Sequence, residues 1–588
     1  MITLGDFIIK FLVSKKIDRV FLITGGAIAF VVDAFSRTKK IKYTCVAHEQ
    51  AAAMMADAYY RVSKKLSVTM VTSGPGAQNL ITGIACSWFD SIPSIHISGQ
   101  VNSTELSSYS KNTKNVRQIG FQETDIASMV SSITKYSKKI ESIEELVEAL
   151  PKVLDIATTG RMGPVLLDIP MNIQKESVNQ EQKTRALKPL LTSPISTVDL
   201  GLDLLLNAAE RPVVVIGAGA ALAGTAPSIQ SWCEAHQIPY VTSWGSLTYI
   251  DRSAPSYFGS LGVYGARAAN WLVQSADQLI VFGSRLDNRQ RTGNPNGFAP
   301  FAQITVIDID DEELRKYHIH KNYKTFKFDL KSIEEQLKPT KSHTLWSSEV
   351  SKTTSKMPEG FDQSVEVEEF NPYRAVRIAQ SKFEENSIVV SDCGANLCWV
   401  YQSYLPDSSF LFTAGGNSPM GYSLPAAIGA QLTNPKKKVY CFIGDGGLQM
   451  NIQEFQTLVS YNLPITVFIQ NNFGYGIIKQ FQDAYFDSRY YATGEGYTMP
   501  NFESVIKAYK IPYFSFKSEK DFKSFSIPSG FSVIDLHFPT NSLITPKTEM
   551  NRFIHDQFPY IQDGSIANLK FDYPERPGDL SGPSNPTV

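Results

Sequence analysis

Asp445 stands in the glycine-rich run GDGG at residues 444–447, and the amide pair Asn471–Asn472 follows one strand–helix–strand length later. The preceding run KKVYCFIG predicts a buried strand that stops just before Asp445. NIQEFQTLVSYN predicts a helix with Ile452, Phe455, Leu458 and Val459 on one face, and LPITVFIQ predicts a second strand that stops before Asn471. A βαβ unit has a right-handed crossover and parallel strands. Both strand ends then lie at the same sheet edge, where open α/β sheets bind ligands. A carboxylate and an amide oxygen at that edge suit Mg²⁺, which bridges carboxylates to phosphates. Gly444, Gly446 and Gly447 let the backbone approach a diphosphate closely. The plainer alternative is a loop whose Asp445 caps the next helix.

The elements around this unit alternate. The apolar runs VFLIT, KYTCVA, LSVTMVTS and PSIHISG are short and β-rich, with helix-like stretches such as EQAAAMMADAYYRV between them. That alternation predicts an α/β chain of three doubly wound parallel-sheet domains. The expected divisions are residues 1–175, 190–340 and 365–540, then a tail at 541–588. The first linker, QKESVNQEQKTRALKPLLTSPIS, lacks an apolar period, and the second is rich in Ser, Lys, Thr and Glu. The end, ERPGDLSGPSNPTV, predicts little regular structure. The first and third blocks share a rhythm that suggests similar folds.

Composition narrows the function classes. The formal net charge of −1 gives no electrostatic footprint for nucleic acid. No apolar run reaches membrane-span length, and the N-terminus MITLGDFIIKFLVSKK predicts a first helix rather than a signal peptide. Six cysteines in 588 residues, with no CxxC spacing, are expected to be reduced thiols in a cytoplasmic protein.

GDG followed by an NN pair resembles the signature of thiamine diphosphate enzymes. TGGAIA, AHEQAAAMMADAYYR, TSGPGAQNL, SIPSIHISGQV, GFQETD, GPVLLDIP, SLGVYG, GSRLDNR, VIDID, MGYSLPAAIGA and GDGGLQMNIQEF then follow in order the pattern of the acetolactate synthase large-subunit family. The resemblance covers nearly the whole chain. It implies a pyrimidine-binding first domain, a central flavin-type domain and a diphosphate-binding third domain. Glu49 matches the glutamate that hydrogen-bonds the cofactor's aminopyrimidine ring, although an acid in a first helical turn also suits the helix dipole. Asp445, Asn472 and the carbonyl of Gly474 match the Mg²⁺ ligands. Pro75, Gly394, Asn396, Gly446 and Gly447 match cofactor contacts. Met420 matches the residue that props the cofactor, a role suited to a bulky flexible side chain, with core packing as the alternative. Gly26, Ala27, Phe121 and Gln122 match positions near the reacting carbonyl.

GAGAAL in the middle block lacks the third glycine of a dinucleotide fingerprint. The resemblance nevertheless points to structural FAD, with Arg161, Gly217, Gly219, Thr242, Asp308 and Asp329 at the matching positions. It also implies a homo-oligomer, dimer or tetramer, with active sites between subunits, and a small regulatory subunit as a possible partner.

Four departures surround the substrate channel. The family's Gln-Trp pair is Gln480–Phe481, its Met-His is Val263–Tyr264, and its acidic pair is Asp287–Asn288 followed by a retained Arg289. The stretch between GQV and FQE carries a longer polar insertion. Near Gly394, Ala395 and Asn396 replace the usual Gln and His. The expectation is an unaltered pyruvate-decarboxylating half-reaction followed by ligation of the two-carbon unit to a second carbonyl compound. Arg289 suits a 2-oxo acid acceptor, surface ion pairing being its plainer role. Phe481 and the insertion suit the alternative, a nucleotide-linked keto-sugar that yields a branched sugar for surface polysaccharide. Intact Glu49, Asp445 and Asn472 argue against a non-catalytic cofactor-binding subunit.

Overall fold

A computed structural model describes residues 2–113, 116–187, 198–292, 297–366, 368–550 and 552–561. Three six-stranded sheets, all parallel, carry the fold. The first contains β1 (Arg19–Leu22), β2 (Lys42–Cys45), β3 (Val68–Val71), β4 (Ile95–Gln100), β5 (Tyr136–Lys139) and β6 (Val165–Pro170), in the order β2-β1-β3-β4-β6-β5. The central sheet contains β7 (Pro212–Ile216), β8 (Tyr240–Thr242), β9 (Tyr257–Ser260), β10 (Gln278–Phe282), β11 (Gln303–Asp308) and β12 (Tyr323–Lys327), in the order β9-β8-β7-β10-β11-β12. The third contains β13 (Ile388–Ser391), β14 (Phe410–Phe412), β15 (Val439–Gly444), β16 (Ile465–Asn471), β17 (Tyr513–Phe516) and β18 (Ser532–His537), in the order β14-β13-β15-β16-β18-β17. The outer sheets therefore share one topology, and the expected likeness of the first and third blocks holds. The central order is that of dinucleotide-binding folds. Most inner strands, such as β15 and β16, are buried almost throughout, as parallel strands covered by helices on both faces must be.

The N-terminal stretch forms helix α1 (Leu4–Ser14), with Thr3 as its cap. Helix α2 (Glu49–Ser63) starts where His48 accepts the Gln50 N–H, so this histidine is a capping residue. Its alanines and methionines are buried and pack against α5 (Ser423–Gln431) of the third domain. At that contact Tyr422 Oη donates to Asp57 Oδ1 at 2.5 Å, and Arg61 reaches Asp57 at 2.6 Å and Asp90 at 2.8 Å. Gly416 N also donates to Asp90. Removing Arg61 would leave Asp57 as an uncompensated buried charge, at a cost of about 3–5 kcal/mol.

The linkers are more structured than their polarity suggests. Ser177–Val178 pairs antiparallel with Ile2–Thr3 and leads into a helix at Gln180–Leu187; the linker's remainder, 188–197, lies outside the described residues. In the second linker, helix α3 (Thr344–Thr354) forms because Trp346 and Val350, one turn apart, both enter the central core. The tail divides likewise. Residues up to 561 strap the third domain to the central one: Arg267 Nη1 donates to Gln557 O at 3.0 Å, and Asn270 Nδ2 to Ile554 O at 3.0 Å. The ERPGDLSGPSNPTV end lies outside the described residues. The six cysteines are free. Among the described residues, no helix is long and apolar enough to cross a membrane.

Asp168 on β6 is buried and accepts from Ser98 Oγ at 2.7 Å and Gln100 Nε2 at 2.9 Å. Burial pushes its carboxyl from 3.8 up to about 7. Between those values the folded chain keeps a proton that the unfolded chain has released. The stability from this group is therefore full at low pH and lost as pH rises from about 4 to about 7. Asp168→Asn removes the titration. The melting temperature of this variant relative to wild type is expected to climb through that window and level above it; parallel curves would refute the assignment.

Candidate active site

The third sheet reverses its strand order between β13 and β15, and the functional loops gather at that point. β13 leads into Asp392–Gly394 and α4 (Ala395–Ser403), β15 into Asp445–Leu448, and β16 into Asn472–Gly474 and α6 (Gly476–Tyr485). The paired register sets Gly444 opposite Gln470, so Asp445 and Asn472 leave adjacent strands side by side. Asp445 is 2% exposed, and burial pushes its carboxyl up to about 6, partly offset by Tyr497 and the backbone of Gly446 and Gly474. Tyr497 Oη donates to Asp445 Oδ2 at 2.8 Å. The two asparagines differ in role. Asn471 is tied down, its Oδ1 accepting from Phe473 N at 3.2 Å. Asn472 is buried and its Nδ2 has no partner among the described residues. Asn396 nearby is also buried, with Nδ2 on Ser391 Oγ at 3.1 Å and Oδ1 without a partner among the described residues. Native interiors seldom leave amides unsatisfied, so these groups are candidates to receive a polar ligand.

Asp392 joins the loops. Its carboxylate accepts the Gly421 N–H at 2.9 Å and the Tyr422 N–H at 3.0 Å, which fixes the backbone just after Met420. A Cβ on Gly447 would lie 2.1 Å from Asp392 Oδ2, so only glycine fits there. Met420 Cε in turn lies 3.4 Å from the Cβ position of Gly446. Gly394 opens α4 at φ +77, a conformation that favours glycine.

The first domain presents a second cluster. Glu49 is 8% exposed at the start of α2, and Asn79 Nδ2 donates to its Oε2 at 2.9 Å. Gly76, beside Pro75, faces Glu49 Oε1. Gln122 has φ +63, and its carbonyl lies against Gly74, while Phe121 is 83% exposed. Gly26 and Ala27 form a short 3₁₀ turn, with Ala27 O accepting from Gln174 Nε2 at 2.7 Å. Among the described residues, no hydrogen bond joins Glu49 to Asp445, Asn472 or Gly474.

The central domain opens a cleft of about 270 Å³ at its own switch point, lined by Gly219, Asp308 and Asp329, by Arg161 of the first domain and by Tyr401 of the third. Arg161 is clamped there by Asp310 at 2.8 Å and Glu313 at 3.2 Å. Two of the predicted flavin contacts sit differently. Thr242 is fully buried, its hydroxyl bonded to Tyr257 and Ser260. Gly217 is glycine because a Cβ would lie 2.3 Å from Gly283 O, a packing reason. Arg289 also lines the cleft; it is exposed and, among the described residues, pairs with no carboxylate, its guanidinium lying 5.9 Å from the Tyr264 ring. Phe481 packs with Tyr485 at 4.7 Å and Phe486 at 5.7 Å.

The three domains match three family models: "Thiamine pyrophosphate enzyme, N-terminal TPP binding domain" over residues 2–129, its central domain over 204–326, and its C-terminal TPP binding domain over 392–526. The acetolactate synthase isozyme 2 large subunit of Escherichia coli is 32% identical, over 83% of this chain and 86% of that protein. The acetolactate synthase large subunit of Lactococcus lactis is 31% identical, over 88% of each. This chain belongs to the acetolactate synthase large-subunit family of thiamine diphosphate enzymes.

As a member of this family, the chain has an edge suited to the cofactor's charged end. Gly446 and Gly447 supply a bare turn, Asn472 an unspent amide and Asp445 a buried carboxylate. Among the described residues, no three His, Cys, Asp or Glu side chains cluster to hold a metal. A cation at Asp445 would therefore complete its shell with phosphate oxygens, as Mg²⁺ commonly does. Asp392, Tyr497 and Glu454 escape sequence reasoning. Asp392 follows the strand run IVVS as Asp445 follows VYCFIG, a usable signal. Glu454, which accepts the Ala47 N–H at 3.1 Å across the domain boundary, leaves none, and neither does Tyr497. Gly447→Ala must displace Asp392, so thiamine diphosphate affinity, followed by tryptophan quenching, is expected to fall about tenfold or more, roughly 1.4 kcal/mol. Wild-type affinity would show that the turn is not part of the cradle.

Proposed function

We propose that this chain uses thiamine diphosphate and Mg²⁺ to decarboxylate pyruvate and to ligate the resulting two-carbon unit to a second carbonyl compound. The observation that carries this reading is the convergence of the buried Asp445 and Asn472 side chains and the Gly446–Gly447 turn at one sheet edge. When bound, the cofactor would supply a carbon nucleophile for the substrate carbonyl and a cationic ring that takes up the electron pair of the broken C–C bond. The protein's part is positioning and proton transfer. Asp445, Asn472 and the Gly474 carbonyl hold the cation, and Gly394 and Asn396 border the diphosphate. Met420, braced by Asp392, props the cofactor. Asn79 occupies Glu49 Oε2 and leaves Oε1 to exchange a proton with the aminopyrimidine ring.

Glu49 lies in one domain and the cation-holding loops in another, and among the described residues no hydrogen bond joins Glu49 to those loops. We assign the complete site to two copies of the chain, the first domain of one facing the third domain of its partner. Gly26, Ala27, Phe121 and Gln122 then border the reacting carbonyl. The relatives' name, large subunit, supports a small regulatory partner as well. The central cleft, with Gly219, Asp308 and Asp329, is assigned to FAD as a structural cofactor.

Arg289, an exposed guanidinium with no carboxylate partner among the described residues, favours an acceptor with an acidic group, a 2-oxo acid. The aromatic surface of Phe481, Tyr485 and Phe486 favours the second reading, a nucleotide-linked keto-sugar, because aromatic faces stack on sugar rings. Labelled pyruvate with thiamine diphosphate, Mg²⁺ and FAD decides between them. Rapid acetolactate from pyruvate alone supports the first; efficient label transfer only to a keto-sugar supports the second. Glu49→Gln is expected to retain cofactor binding and lose at least about 100-fold in CO₂ release. Wild-type release by this variant would refute the proton-transfer role.

A further inference from the structure

Residues 486–498 leave α6 and return across the cation edge of the third domain. Most are exposed, yet side chains anchor the segment at both ends. Gln482 of α6 donates to Tyr491 O at 3.0 Å and accepts from Thr493 Oγ1 at 2.5 Å. Gln449, from the turn after Asp445, donates to Thr498 O at 3.4 Å. Between these anchors Tyr497 turns inward. Its hydroxyl donates to Asp445 Oδ2 at 2.8 Å, and its ring meets Tyr475 edge-on at 4.7 Å and 70°. Tyr475 covers the diphosphate turn: a Cβ on Gly446 would lie 2.5 Å from its ring. Thr493 O lies 2.9 Å from the Cβ position of Gly474. One segment therefore touches Asp445 and Gly474 directly, and Gly446 through Tyr475.

A donor on one oxygen stops rotation of a carboxylate and commits the other oxygen to a fixed direction. Among the described residues, Tyr497 is the only side chain that donates to Asp445, and Oδ1 receives no side-chain donor. We propose that Tyr497 is a positioning residue that orients Asp445 toward the cation, presenting Oδ1 to it. The proposal rests on the reading of Asp445, Asn472 and Gly474 as cation ligands. Metal-ligating carboxylates are themselves hydrogen-bonded, and loss of such a partner typically weakens metal affinity about 10–100-fold. A tyrosine that merely filled the cation's space would act in the opposite sense, since its removal would favour the metal.

The test counts bound Mn²⁺ by electron paramagnetic resonance, with full-length protein and saturating thiamine diphosphate, so no turnover is needed. Tyr497→Phe keeps the ring against Tyr475 and removes only the hydroxyl. Its Mn²⁺ dissociation constant is expected to rise about tenfold or more, with the metal-free melting temperature unchanged. Tyr491→Phe, which removes an exposed hydroxyl from the same segment, is expected to bind as wild type does. If Tyr497→Phe lowers the metal-free melting temperature, Tyr497→His, which restores an N–H donor, separates the roles: recovered affinity supports orientation, and none overturns it. Unchanged or tighter binding by Tyr497→Phe overturns the proposal. Asp445→Asn distinguishes the underlying reading: wild-type Mn²⁺ affinity in that variant means Asp445 is not a ligand, and the proposal falls with it.

Discussion

The parallel register of β15 and β16 is the constraint on which the rest depends. Pairing Gly444 with Gln470 brings Asp445 and Asn472 out of the sheet together, although a complete crossover separates them in the chain. Because every strand of this sheet runs the same way, the Gly394 loop and the Asp392 carboxylate emerge at that edge too. Buried polar groups then refine what the backbone has gathered. Asp392 grips the chain after Met420, Gly447 yields space to it, and Tyr497 holds one oxygen of Asp445.

The three sheets are coupled by charged and polar contacts as well as by apolar packing. Asp57, Arg61, Asp90 and Tyr422 form a network at the contact of α2 with α5, where buried alanines and methionines leave little room for water. Arg161 clamps the first domain to Asp310 and Glu313 of the central one. The strap up to residue 561 completes the set by feeding carbonyl groups to Arg267 and Asn270. A buried ionic contact adds little net stability once desolvation is counted, but removing one partner is costly because it leaves the other charge buried and unpaired.

Of the expected departures from the family pattern, Ala395 and Asn396 stand in the loop at the cation edge, and the four around the substrate channel lie outside the cation loops. Phe481 belongs to a partly open aromatic group, Arg289 and Tyr264 border the central cleft, and the polar insertion ends at the exposed Phe121. The Glu123 carboxylate organises that insertion by accepting from Ser107 and Ile119, and those bonds hold its carboxyl below the ordinary range. A fixed cofactor-holding edge surrounded by varied loops is how one scaffold serves different acceptors.

Much of this was legible in the chain itself. Apolar runs ending in glycine, acid or amide marked strand ends, the period of NIQEFQTLVSYN marked the crossover, and the ordered motifs marked the family. Those signals are local, or repeat at fixed spacings, so one sequence suffices to read them. The polar linkers misled because two apolar residues one turn apart, Trp346 and Val350, anchor a helix that average composition hides. Tertiary structure alone decided that Thr242 faces its own sheet, that Gly217 is bare for Gly283, that Asn472 rather than Asn471 has an unspent amide, and that Tyr497 reaches Asp445. Each depends on which distant atom packing brings within about 3 Å, the range in which a hydrogen bond or a clash is decided, and no spacing along the chain encodes that distance.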